Sequence, residues 1–141
     1  LEARAEIEYE AYAKSVNIEA KTMIDIAGKQ IIPAVIRYTT MLAESLGTVK
    51  NACPEADVSV QTELLLETSD LLSEMKTALA KLASVTEECA AVEDVKEKAE
   101  RYHKEVAPAM EELRAPADRL EMIVGKEFWP FPSYGDLIFE V

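Results

Sequence analysis

One histidine, two cysteines, four glycines and six prolines are spread over 141 residues. Each scarcity removes a class of function. A metal centre wants clustered His, Cys or carboxylate ligands. Glu100 and His103 do form one Glu-x-x-His, the motif of di-iron bundles. Such a site needs the motif twice, with further Glu residues opposite, so a single histidine excludes it. His103, flanked by Tyr102, Lys104 and Glu105, reads as a solvated surface residue. Cys53 and Cys89 lack Cys-x-x-Cys spacing and read as reduced, partly buried thiols. No glycine-rich loop is present to cradle a phosphate. No apolar run reaches the ~18 residues expected of a membrane span. Basic residues number 15 against 27 acidic ones, a net charge of −12. That disfavours nucleic acid and anionic membrane surfaces as partners.

Catalytic constellations are missing as well. Serines, cysteines and carboxylates occur, but none has a recognisable base partner. Glu87-Glu88 and Glu111-Glu112 are adjacent pairs. Neighbouring helical residues point to different faces and cannot share a proton. The sequence therefore offers no catalytic, cofactor-binding or metal-binding residue. Its first residues, Leu1-Glu2-Ala3-Arg4-Ala5-Glu6, are charged and helical in character, unlike a signal peptide, so a cytoplasmic location is expected. With no initiator Met and no cap before the first helix, the chain is expected to be cut from something longer.

What is there in quantity is helix. Hydrophobic residues make up 49% and charged residues 30%, enough for one domain with a core. Residues 1 to about 49 read as one long helix. Ile24, Ile31, Val35, Tyr38, Leu42 and Leu46 recur at helical spacing. Glu10 and Lys14 stand at an attractive spacing, and Glu6 and Glu10 at a repulsive one. Pro33 interrupts the helix, because its ring clashes with the Lys29 carbonyl and it has no N–H to donate. Gly28 weakens the same place, and Gly47 is the expected stop. Residues 48 to about 57 form a connection, with Pro54 suited to the first turn of the next helix.

Residues about 58 to 89 carry the clearest pattern. Leu65, Thr68, Leu72, Met75, Leu79, Leu82 and Thr86 alternate three and four apart, a heptad-type seam. Leu64, Leu71 and Ala78 widen it into a face that can touch two neighbours. Thr68 and Thr86 are its weak points. A second break is expected near Ala90 to Asp94, with Glu93 and Asp94 as an acidic first turn. The third helix, about 94 to 125, shows Val95, Ala99, Tyr102, Val106, Met110, Leu113, Ala117, Leu120 and Val124 on one face. Pro108 and Pro116 each delete a hydrogen bond, so bends are expected there. Gly125 is expected to end it.

The last residues speak a different language. Phe128-Trp129-Pro130-Phe131-Pro132-Ser133-Tyr134-Gly135-Asp136-Leu137-Ile138-Phe139-Glu140-Val141 holds the only Trp and all three Phe. Pro130 and Pro132 rule out helix. Aromatics are large apolar payloads, so the tail is expected to cross the helices and bury Phe128, Trp129, Phe131 and Phe139 against them or against another domain. The stretch Lys126 to Phe139, with its Trp-Pro-Phe-Pro and Tyr-Gly-Asp, resembles the C-terminal end of type III glutamine synthetases. Val16-Asn17-Ile18-Glu19-Ala20 and Ile32-Pro33-Ala34-Val35-Ile36-Arg37-Tyr38-Thr39 resemble the helical region preceding that end.

The fold expected is all-α: an up-down bundle of three long helices over residues 1–125, four if Pro33 splits the first. An extended aromatic tail over residues 126–141 packs on it. The resemblance implies a C-terminal structural or assembly domain of an ATP-dependent glutamate–ammonia ligase. Mg and ATP are then expected in an upstream catalytic domain, and a homo-oligomer in the parent. None of that family's catalytic motifs is matched in these residues. The rival from another class is a free-standing helical scaffold or protein-interaction module.

Overall fold

The fold was read from a computed structural model, which describes residues 2–132. Three helical rods run up, down and up. The first comprises α1 (Glu2–Ile26), a π-helical segment (Ala27–Ile31) and α2 (Ile32–Ala52). The second is α3 (Ser59–Ala90). The third comprises α4 (Val95–Arg101), a second π-helical segment (Tyr102–Val106) and α5 (Ala107–Ile123). Cross-links fix the directions. Lys81 and Glu67 of α3 pair with Glu112 and Arg119 of α5, so those helices are antiparallel. Tyr12 meets His103 while Tyr38 meets Phe128, so the first and third rods run parallel. The all-α, three-rod architecture expected from the sequence is what the chain adopts.

Prolines shape both outer rods by one rule. Each π segment ends two residues before a proline, Pro33 in one rod and Pro108 in the other. Ile32 N–H reaches back five residues to the Ala27 carbonyl, and Ala107 N–H to that of Tyr102. A widened turn spreads the backbone where a proline ring would strike the carbonyl four residues back. The rod therefore continues, and the first helix does not divide into a fourth rod. Pro116 lies within α5 with no such adjustment and is itself buried.

Several boundaries differ from expectation. Gly47 does not stop the first rod. It sits inside α2, with nothing within 4 Å of an added Cβ, and the helix runs on to Ala52. An exposed glycine without a left-handed backbone weakens a helix but does not end it. Pro54 lies in the turn before α3 rather than in its first helical turn. There Asp57 accepts from Ser59 N–H at 3.0 Å, which holds its carboxyl below the usual range. Asp94 caps α4 through Glu97 N–H at 2.9 Å. The third rod ends at Ile123, and Val124 leaves in an extended conformation, so the expected stop at Gly125 falls two residues late. No described glycine has positive φ.

The core lies where α3 meets both outer rods. Met75, Leu82, Leu113, Leu120, Val35 and Val106 are fully buried. Thr68 and Thr86 are buried too, each donating its hydroxyl to a carbonyl four residues back, Leu64 and Leu82, at 2.7 and 2.6 Å. That internal bond satisfies the hydroxyl and makes the residue a small apolar one to its neighbours. The seam tilts slightly from its expected line: Leu71 is buried and Leu72 half-buried. Below the first π segment the first rod offers mainly small residues, Ala13, Val16 and Ala20.

The aromatic segment begins as a tight turn. Phe128 and Trp129 N–H both reach the Gly125 carbonyl, at 2.8 and 3.2 Å. Phe128 meets Tyr38 edge to face at 5.6 Å, and Trp129 meets Phe131 at 6.4 Å. All three are half-buried against the core. Phe139 lies outside the described residues.

Candidate functional site

One seam joins α1 to the third rod at its lower end. Tyr102 sits at the start of the second π segment, 1% exposed. Its hydroxyl donates to Asn17 Oδ1 at 3.1 Å, crossing between the outer rods. Burial pushes the phenol above its ordinary range. Around this bond opens a cleft of about 450 Å³ lined by Glu10, Ala13, Lys14, Asn17, Glu93 and Lys98, among others. A neighbouring hollow shares Glu93 and Val95 and continues along α1 towards Tyr9. The expected Glu10–Lys14 attraction does not close into an ion pair among the described residues, and both side chains are exposed.

On the other side of Tyr102 lies an ionic cluster. Arg101 binds Glu105 through two nitrogens and stands 3.8 Å from Glu88. Hydrogen bonding to Arg101 holds the Glu105 carboxyl below its usual range, and the same contact raises the guanidinium. Cys89 is fully buried and its Sγ lies 3.9 Å from Glu105 Oε2. Burial first, then that carboxylate, pushes the thiol up, away from the reactive thiolate. Cys53 is exposed, far from it in the turn after α2.

The residues weighed in the sequence end in ordinary roles. His103 Nδ1 is 3.1 Å from the Tyr12 hydroxyl on an exposed surface. Glu111 and Glu112 point apart, to Arg114 and to Lys81. Glu88 faces Arg101. Among the described residues no three His, Cys, Asp or Glu side chains converge as a metal would require. No reaction step is assigned to these residues. What sequence reasoning missed is the Tyr102–Asn17 bond and the cleft around it. Tyr102 was legible as a core position, but nothing in its spacing showed a partner 85 residues away.

The upper slot between the outer rods is apolar. Met23, Ile26, Ile31, Met75, Leu113 and Ala117 line a hollow of about 140 Å³ beside the first π segment. Gly28 lies against α3 here, where an added Cβ would touch Leu79 at 3.7 Å. No helix among the described residues is long and apolar enough to cross a membrane.

Comparison with known proteins gives this arrangement a context. The Glutamine synthetase C-terminal domain family matches residues 1–50. A glutamine synthetase of Bacteroides fragilis is 33% identical over 143 residues, covering 99% of this chain and 20% of that protein. A type-3 glutamine synthetase of Dictyostelium discoideum is 30% identical over 147 residues, with the same coverage of 99% and 20%. A glutamine synthetase of Butyrivibrio fibrisolvens is 27% identical over 139 residues, again covering 99% and 20%. The chain thus spans about one fifth of the length of the curated relatives it matches. Helical bundle, family match over residues 1–50 and alignment over 99% of the chain agree: it is the C-terminal domain of glutamine synthetases that this chain is similar to.

Proposed function

We propose that the chain is a non-catalytic assembly domain of a cytoplasmic glutamate–ammonia ligase. In this reading an upstream catalytic domain of the same polypeptide binds Mg and ATP and forms glutamine. The helical domain packs against that catalytic domain and between subunits of a homo-oligomer. Residues 1–125 supply the rigid bundle, and residues 126–141 act as a clasp upon it.

The observation that carries the reading is coverage. The chain aligns over 99% of its own length, yet with only a fifth of each glutamine synthetase. A self-contained hydrophobic core in so small a share of a large enzyme suits a scaffold, and the described residues hold no convergent ligand set for its chemistry. Catalysis needs groups positioned within hydrogen-bond reach of a reacting atom. Salt-bridged surface carboxylates such as Glu112 and Glu67 are already committed to neighbouring helices.

The test compares the parent enzyme with and without this region. Light scattering should show loss of the oligomer when it is removed, with glutamine formation falling alongside. The isolated chain should form no glutamine above blank. Turnover by the isolated chain, or a truncated parent with unchanged mass and activity, would contradict the proposal.

A further inference from the structure

The outer rods touch closely where α1 meets α4 and barely where α2 passes α5. Among the described residues their hydrogen bonds to each other, Tyr12 to His103 and Asn17 to Tyr102, lie at the lower end. At the top Phe128 closes on Tyr38. Between these levels sits the apolar hollow of about 140 Å³. Met23, Ile26 and Ile31 stand on one side of it, Leu113 and Ala117 on the other, with fully buried Met75 between them. Arg114 at its edge is exposed and faces Glu111 at 3.5 Å. Met23, Ile26 and Ala117 are only half-buried, so apolar surface here is left in contact with water, and burying it would be favourable.

We propose that this hollow is the seat of the Phe139 ring, reached by the chain beyond Pro132 running back down the groove between the outer rods. Direction, reach and size choose this occupant. The tail turns at Gly125, and Phe128 stands against Tyr38 of α2, so the chain sets out from the third rod toward the first. The hollow lies between the same two rods, lower down. Ala117 is six residues before Ile123, the last residue of α5, or ~9 Å at 1.5 Å per residue. The seven residues from Pro132 to Phe139 span up to ~23 Å when extended. Apolar cavities of about 150 Å³ admit a benzene-sized ring, which is the size of the hollow and of the phenyl group. Tyr134 is nearer in sequence, but its hydroxyl would lose water among apolar side chains that offer it no partner. The proposal rests on residues 126–141 acting as a clasp and adds the place where the clasp fastens.

Methyl NMR of the 141-residue chain tests it. Nuclear Overhauser contacts are expected from the Phe139 ring to the methyls of Met23, Ile26, Ile31 and Met75. Ending the chain at Pro132 should shift those same methyls and lower the folded-to-unfolded ratio roughly tenfold or more. Ala117→Leu fills the hollow from α5 and should abolish the contacts while the bundle stays folded; contacts that survive it unchanged would overturn the proposal. Contacts from the ring to another face of the bundle would overturn it and leave the clasp standing. No contact with the bundle, together with a chain ending at Pro132 as stable as the full one, would overturn the seat and the clasp alike. Contacts seen only between differently labelled copies would give the hollow to a second molecule and overturn the proposal as well. Oligomer mass and glutamine formation in the parent report on the assembly role separately.

Discussion

The α3–α5 seam and the α1–α4 seam are built from residues of different size, and the first is filled where the second leaves a cleft. Met75, Leu79 and Leu82 of α3 and Met110, Leu113 and Leu120 of α5 are buried in one core, and a hollow opens at the rim of that seam, beside Lys81 and Glu112. Between α1 and α4, Ala13, Val16 and Ala20 face Ala99 and the single large side chain of Tyr102. Small residues bring backbones close only where both sides are small. Here one tyrosine spans the space, and the rest of the seam remains an open, charged cleft. Seam closure in this bundle is thus set by side-chain volume rather than by helix propensity, which is high throughout.

The largest effect should come from opening the closed seam. Leu82→Ala and Leu113→Ala each delete a fully buried side chain and should cost about 2–5 kcal/mol in urea melts. Leu72→Ala, half-buried on the flank, should cost clearly less. Equal losses at Leu72 and Leu82 would place the seam on the wrong line.

A smaller effect tests the bridge across the open seam. Tyr102→Phe keeps the ring and removes the hydroxyl that donates to Asn17. The loss should be about 0.5–1.5 kcal/mol, because half-buried Asn17 can turn to water. No change would mean that the ring alone holds the outer rods together.

Much of this was legible before any coordinates. The α3 seam announced itself because Leu and Met recur three and four apart against a polar background. The third rod's face was readable from Val95 to Val124 for the same reason. The lower half of the first rod was not. Alanine is at home on any helix face, so buried Ala13 and Ala20 look no different from exposed Ala11. Pro33 and Pro108 marked trouble correctly, but its form depends on hydrogen-bond register, which a proline alone does not fix. Gly47 misled because glycine ends helices only where the chain must turn left-handed. The cleft was invisible because it is made by what fails to fill a gap, and Glu10 and Lys14 looked like an ordinary helical pair.

The smallest effect concerns pH. Glu105 is depressed by its hydrogen bonds from Arg101. A group depressed on folding adds stability above its unfolded value, about 4.3 for Glu, and loses it as pH falls through the folded value. The pair is about a third exposed, so the contribution is weakened by solvent. Urea midpoints should fall slightly below about pH 4, and Glu105→Gln should flatten that part of the profile. A Glu105→Gln profile that keeps the same slope would assign it to other carboxylates.

Residue-resolved amide hydrogen exchange tests the contrast between the seams most directly. Amides facing the closed seam, around Met75 to Leu82 and Met110 to Leu113, should exchange only on global unfolding. Those of the first turns of α1, to about Tyr12, and of α4 should exchange roughly tenfold faster or more, through local opening of the cleft. Uniform protection along all three rods would contradict the account, because it would mean that the α1–α4 seam is closed as firmly as the core.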